Sequence, residues 1–371
     1  MKKIKVLQFS IAASAGGRTQ FLLNLWNTID RTKFIFDFMT FSESLPFEKE
    51  LLETGACVFH IKNNPEKNEL AFREEFKKIL SNGYDIIHIA TSYWKNTIIE
   101  EMAKDAGIKR IIIHSHSAGI NAKNINDKSA VELHERIKEN IDCNIATDFV
   151  ACSESAAEWL YGKSIPKTEV KIIYNGIDTD RFRYNSKLRE EYRKEMSIQD
   201  SFVLGFVGRF EMVKNIDFII AVLKKLADAN KNVKLVLVGD GSQKERLQTV
   251  INEKKLSKFV LFTGMVKDVE RYMQVFDVLL MPSVFEGFPI SLLEAQCSGL
   301  NCLVSSNVSD ECAVTDLVCR LDLHREDLWI EKIESFLGGY SRKDYSKVIE
   351  KAGFANKDLV SKIERLYLGE R

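Results

Sequence analysis

Residues 201–209 read Ser-Phe-Val-Leu-Gly-Phe-Val-Gly-Arg, an apolar run that closes on glycine and arginine and leads into a polar loop. Residues 4–10, Ile-Lys-Val-Leu-Gln-Phe-Ser, take the same role near the start of the chain. Between the two, β-branched and apolar runs recur at Phe34–Phe41, Cys57–Ile61, Asp85–Thr91, Arg110–Ser117, Asp148–Ser153 and Val170–Asn175. Segments with helical spacing separate most of them. In Glu69–Leu80, for example, Leu70, Phe72, Phe76, Ile79 and Leu80 fall near one face. After residue 209 the alternation restarts, with runs at Lys234–Gly241, Phe259–Gly264, Val278–Ser283, Asn301–Ser306 and Val318–Leu323. Strand alternating with helix means a parallel sheet covered on both faces. The expected fold class is therefore α/β, with two such sheets in succession. The charged stretch Asp180–Asp200 holds no strand, which puts the junction near Asn175–Phe182.

Composition agrees with two folded domains. The chain has 371 residues, of which 45% are hydrophobic, enough for a core in each half. Lys+Arg and Asp+Glu both number 53, so the basic field of a nucleic-acid binder is lacking. The seven cysteines, at 57, 143, 152, 297, 302, 312 and 319, form no CxxC pair. An odd, scattered set reads as reduced thiols in a cytoplasmic protein. The apolar run after Met1-Lys2-Lys3 is broken by Lys5 and Gln8, as in a strand before a glycine loop rather than a signal peptide. No run approaches the roughly 18 apolar residues of a membrane span. Peripheral attachment to the inner face of a membrane stays open.

The residues with most chemical content are Glu286 and Glu294, in Phe285-Glu286-Gly287-Phe288-Pro289-Ile290 and the following helical stretch. Pro289 suits a first helical turn, which puts Glu294 on the helix and Glu286 in the loop before it. That loop leaves a strand at the carboxyl edge of a parallel sheet, where such sheets bind ligands. One carboxylate can accept from ribose hydroxyls while the other contacts a sugar. The start at Phe288, Pro289 and Ile290 can offer free N–H groups, those of Phe288 and Ile290, to an anion. Gly208 permits close backbone approach, and Arg209 and Lys214 behind it suit a diphosphate. Gly16 and Gly17, within Ala15-Gly16-Gly17-Arg18, read either as a tight turn or as a phosphate or sugar contact. His114 and His116 close the fifth run, two apart, and can offer an acceptor to a sugar hydroxyl. His88 reads as a core residue and His134, in a charged helix, as solvated. Gly239-Asp240-Gly241 reads as a turn, and Met265 and Val266 lie in a loop whose backbone could read a base edge. Asp178-Thr179-Asp180 has the form of a metal-binding DxD but falls in the junction, so that role is rejected.

Taken together, PSVFEGFPISLLEAQCSGL (282–300), VLVGDG, FVGRF with VKN, YNGID, FTGMV and the opening VLQFSIAASAGG resemble glycosyltransferase family 4. The resemblance is densest over 170–323 and weaker but continuous over 1–170. HSHS and SDECAVTDLVCRLDL resemble the capsular and exopolysaccharide branch. It implies the GT-B fold: Rossmann-like domains at 1–175, on the acceptor side, and 176–355, on the donor side. Their parallel sheets would face across a cleft that closes on the donor, and a helix at 356–371 would cross back to the first domain. It further implies that Glu286 contacts the donor sugar and Glu294 the ribose. Arg209 and Lys214 would hold the diphosphate, and Gly264–Lys267 would meet the base through its backbone. Gly16–Gly17 would approach the diphosphate or the acceptor. A first-domain histidine would contact the sugar, with His116 the better fit. Two departures stand out. Asn215 replaces a frequent glycine, and Cys319-Arg320-Leu321-Asp322-Leu323 replaces a glycine-rich turn.

The implied activity is retaining transfer of a sugar from a nucleotide-diphosphate sugar, UDP-linked by default, to a glycan or lipid-linked acceptor. The departing phosphate would help to take the acceptor proton. No metal or other cofactor is expected, since Arg209 and Lys214 supply the positive charge. An inactive partner subunit on this fold should have lost one of Glu286, Glu294, Arg209 or Lys214, and all four are present. A nucleotide-sugar epimerase would convert the donor without an acceptor.

Overall fold

The computed structural model describes residues 2–13, 16–120 and 128–370. The first sheet contains β1 (Ile4–Phe9), β2 (Phe34–Thr40), β3 (Val58–His60), β4 (Ile86–Thr91), β5 (Arg110–Ser115), β6 (Asp148–Ala151) and β7 (Val170–Ile172). Their order is β3-β2-β1-β4-β5-β6-β7, and every pairing is parallel. The second contains β8 (Phe202–Val207), β9 (Val233–Val238), β10 (Val260–Gly264), β11 (Val278–Met281), β12 (Asn301–Ser305) and β13 (Val318–Leu321). Its order, β10-β9-β8-β11-β12-β13, is again wholly parallel. Each expected apolar run contains a strand; the inner strands are largely buried, while the edge strands β3, β7, β10 and β13 are only partly so.

Both sheets reverse their winding direction at one place, between β1 and β4 and between β8 and β11. Loops leaving such neighbours diverge to opposite faces and leave a crevice at the carboxyl edge. That geometry positions the candidate site.

Contacts divide the described residues into two units. One takes residues up to Ile120, those from 128 to Gly176, and the last helix, Asn356–Leu368; the other spans Ile177–Ala355. In the first, helix Gly17–Thr28 and the last helix share a core. Phe21, Leu22, Leu25 and Trp26 meet Leu359, Ile363, Leu366 and Tyr367. In the second, helix Ile216–Asp228 lays Ile219, Ile220, Leu223 and Leu226 on β8, β9 and β11. Full burial of each such side chain contributes about 1.5–3 kcal/mol.

Helix Glu69–Leu80 corrects one expectation. Phe72, Phe76, Ile79 and Leu80 are buried, but Leu70 is 80% exposed. Leu70 precedes Phe72 by two residues, about 200° round a helix of 3.6 residues per turn, so it cannot share that face. No helix among the described residues is long and apolar enough to cross a membrane.

Candidate functional site

The second unit carries the more complete constellation. Gly208, Arg209 and Lys214 follow β8, and Glu286 follows β11, so they flank the reversal point of the sheet. Lys214 Nζ donates to both oxygens of Glu286, at 2.6 and 2.8 Å. Ser283 Oγ donates to the same carboxylate at 2.6 Å. The two loops are tied by the Val284 N–H, which donates to the Val213 carbonyl at 2.8 Å. Arg209 is half-buried, and its guanidinium has no hydrogen bond or ion pair among the described residues.

Glycines bring the next loop in. The Gly208 N–H donates to the Val238 carbonyl and the Phe210 N–H to that of Asp240, at 3.0 and 2.9 Å. A Cβ on Gly239 would lie 2.0 Å from the Gly208 carbonyl oxygen, and one on Gly241 2.6 Å from the Phe210 nitrogen. Gly239-Asp240-Gly241 is thus more than a turn, because its bare backbone lets the loop after β9 brace the one bearing Arg209. The Gly239 N–H in turn donates to the Gly264 carbonyl at 3.0 Å, which links the loop after β10. Met265, next in that loop, is 61% exposed.

Helix Ile290–Cys297 starts with Pro289 at its cap, one place earlier than the first turn, and without a side-chain cap. The Leu292 N–H donates to the Pro289 carbonyl at 3.0 Å, and those of Ile290 and Ser291 have no acceptor among the described residues. The side chains of Phe288 and Ile290 are buried, and Phe288 stacks on Phe354. Only their backbone can serve a ligand. Glu294 is half-buried, with its carboxyl desolvated. Burial pushes it up to about 7; Arg181 opposes that shift and Glu270 adds to it.

In the first unit, Ala15 of the glycine loop lies outside the described residues. Gly16 caps helix Gly17–Thr28 at φ −84°, an ordinary extended backbone, so no left-handed conformation calls for it. A Cβ on Gly17 would meet none of the described residues within 4 Å.

The histidines divide. His114 is wholly buried on β5, with Nδ1 3.1 Å from His88 Nε2, so it belongs to the core rather than to the rim. His88 Nδ1 lies 2.6 Å from the Tyr367 hydroxyl, which accepts from Gln8 Nε2 at 2.9 Å. His116 follows the strand. Its ring packs on Phe21 and His114, and neither ring nitrogen has a partner among the described residues. Burial holds His114 and His116 well below the usual imidazole range, so both are neutral at pH 7. His134 corrects a further expectation. It is buried, stacked on Trp159 and bonded to the Trp94 N–H and the Trp159 carbonyl, each at 3.0 Å. The charge of its helix hid the single face that packs.

The departures from the family pattern have local explanations. Asn215 sits at φ +52° ahead of helix Ile216–Asp228, a left-handed position that asparagine tolerates next best to glycine. At the second, the Asp322 carbonyl accepts from Trp329 Nε1 at 3.1 Å, which closes the turn without glycine. Ser283 went unnoticed in the sequence. Its signal was a serine three residues before Glu286.

The fold matches solved structures over nearly the whole chain. Anabaena HepE, solved with UDP-glucose, matches with a TM-score of 0.77 over 99% of this chain and 100% of that one, at 16% identity. WaaG, involved in lipopolysaccharide biosynthesis, matches with a TM-score of 0.67 over 97% and 95%, also at 16% identity. The fold is GT-B. In sequence, residues 15–181 match the model for Glycosyltransferase Family 4, and residues 189–352 that for Glycosyl transferases group 1. EpsF of Bacillus subtilis (strain 168), assigned to the glycosyltransferases, is 30% identical over 355 residues, covering 92% of this chain and 90% of that one. CapH of Staphylococcus aureus, a capsular polysaccharide biosynthesis glycosyltransferase, is 23% identical over 316 residues, covering 84% and 83%. The chain belongs to glycosyltransferase family 4 and is a glycosyltransferase.

Proposed function

We propose that this enzyme transfers a sugar, with retention at the anomeric carbon, from a UDP-sugar to a glycan or lipid-linked acceptor in cell-surface polysaccharide synthesis. The observation that carries the reading is the Lys214–Glu286 pair at the reversal point of the second sheet. In it a cation suited to a phosphate touches a carboxylate suited to sugar hydroxyls. The relatives support the chemistry. HepE was solved with UDP-glucose. An Escherichia coli enzyme 26% identical over 286 residues, which cover 74% of this chain and 70% of that one, is a UDP-Gal:α-D-GlcNAc-diphosphoundecaprenol α-1,3-galactosyltransferase.

In the proposed reaction Arg209 and Lys214 hold the diphosphate and take up charge as the bond to the sugar breaks. The amides at the start of helix Ile290–Cys297 add partial positive charge. Glu286 orients the sugar, and Glu294 accepts from the ribose. His116, neutral, offers its ring to a sugar hydroxyl, and the loop at Gly16 and Gly17 approaches the diphosphate or the acceptor. The departing phosphate takes part in removing the acceptor proton. Because the cations are side chains, no metal takes part.

The test is a thermal-shift panel of UDP, GDP, ADP, CDP and UDP-sugars, followed by transfer assays with lipid-diphosphate sugars. A ligand at 100 times its Kd adds about 2.7 kcal/mol of stability. The reading expects UDP to stabilise the protein and Lys214→Ala to lose most of the shift. Failure of every nucleotide to shift the folded protein would overturn it. Activity should survive EDTA; loss on chelation with rescue by manganese would overturn the metal-free part.

A further inference from the structure

Residue Arg181 lies in the irregular segment that opens the second unit, and no role in the reaction has yet been given to it. That segment is bolted to the carboxyl end of helix Ile290–Cys297. Cys297 Sγ donates to the Thr179 carbonyl at 3.4 Å, and Ser298 Oγ donates to that of Phe182 at 2.7 Å. From this anchored base Arg181 Nη2 reaches the Lys267 carbonyl at 2.5 Å and the Glu270 carboxylate at 2.6 Å. The partners lie on the loop after β10 and on helix Val269–Val275, which follows it.

The loop is therefore held at both ends. At Gly264, whose φ is +73°, the carbonyl accepts from the Gly239 N–H. At Lys267 the carbonyl accepts from Arg181. Between these fixed carbonyls lie Met265 and Val266, so the direction of their peptide groups is set by the two clamps. Backbone groups can discriminate between bases only if they are held in one orientation.

We propose that Arg181 is a positioning residue that clamps the loop of Met265 and Val266 to the helix bearing Glu294, and so sets which nucleobase the donor site accepts. The proposal rests on the reading of this loop as the base site and of Glu294 as the ribose ligand. Arginine suits the task because the two N–H groups of Nη2 are fixed in the guanidinium plane and can serve a carbonyl and a carboxylate at once, whereas lysine's donors rotate on a flexible stem. Its side chain is 42% exposed, so removing it should disturb folding little.

Calorimetric titration of UDP, GDP, CDP and ADP into the parent, Arg181→Ala, Arg181→Lys and Glu270→Gln proteins tests this, with donor kinetics alongside. The parent should prefer one base by about tenfold or more, the ratio that one well-oriented hydrogen-bond pair can give. Arg181→Ala should narrow that ratio to about threefold or less and raise the donor KM, with kcat within about twofold. Arg181→Lys should keep the Glu270 pair yet lose most of the preference. Glu270→Gln, which leaves the Lys267 contact, should keep it. Base preference unchanged in Arg181→Ala would overturn the clamp, as would an equal loss of all four nucleotides. A parent that binds none of the four would overturn the donor-site reading itself, and the clamp with it.

Discussion

The carboxyl of Glu294 is pushed up from an ordinary 4.5 to about 7 by burial, and this has two measurable consequences. Its proton is held more tightly in the folded chain than in the unfolded one. Its contribution to stability is therefore most favourable below pH 4.5 and falls as the pH rises to about 7, above which it is constant. Glu294→Gln should remove that fall, so denaturant titrations should find the variant gaining on the parent by up to about 3 kcal/mol between pH 4.5 and 8. Nucleotide binding should move the other way. The ionised carboxylate is the better acceptor for ribose hydroxyls, so UDP affinity should rise through pH 7 in the parent and stay flat and weaker in Glu294→Gln. Losing such a bond costs about 1.5–3 kcal/mol. Among the cations, Arg209→Ala and Lys214→Ala should each depress kcat about 100-fold or more; turnover near the parent's in either would remove that residue from the diphosphate site. The placement of these residues at a strand's carboxyl end could be read from sequence because it lies in short spacings, a strand end followed by a cation or a carboxylate. His134 could not, because its partners Trp94 and Trp159 come from other segments.

Elements carry what single positions cannot. The site loops after β8, β9 and β10 are laced together where Gly239 meets the Gly208 carbonyl, and a methyl group there would collide with backbone. Gly239→Ala should therefore weaken UDP binding more than Asn215→Ala does, although both disturb the same edge of the sheet. Asn215→Ala should cost about 1 kcal/mol of stability through its left-handed backbone, and Asn215→Gly should be neutral or better. Helix Ser186–Glu195 has a different fastening. Asp277, immediately before β11, accepts from Arg189, from Arg193 at 2.9 Å and from the Val203 N–H at 2.7 Å. Removing this carboxylate takes the counter-ion from two largely buried guanidinium groups, which keep only main-chain carbonyls as partners. Asp277→Ala should cost roughly 3–5 kcal/mol in urea unfolding; a loss under about 1 kcal/mol would show the pair to be solvated. The strands were legible in sequence to within a few residues, because a buried parallel strand is a continuous apolar run. The Asp277 network was not. Nothing in the spacing of a charged helix says which arginines turn inward.

At the scale of the whole molecule, the first unit is closed by residues that follow the second in sequence. Tyr367 of the last helix bonds His88, a residue 279 positions earlier, and is buried among Phe34, Phe36 and Gln8. Tyr367→Phe should strand His88 and Gln8 and cost about 1–3 kcal/mol, read as a lower unfolding midpoint with UDP affinity unchanged. The same placement dictates an order of assembly during synthesis. A chain leaving the ribosome delivers Ile177–Ala355 whole before it delivers Leu359, Ile363 and Tyr367. The second unit can reach its final fold at that stage, while the sheet made first still lacks part of the cover on one face. Domains ordinarily mature from the amino end, and here the sequence of events is inverted. A chain ended after Ala355 should resist protease over its later half and be cut within its earlier one. The apolar seat of the last helix, open in such a nascent chain, is the surface that a chaperone would have to shield.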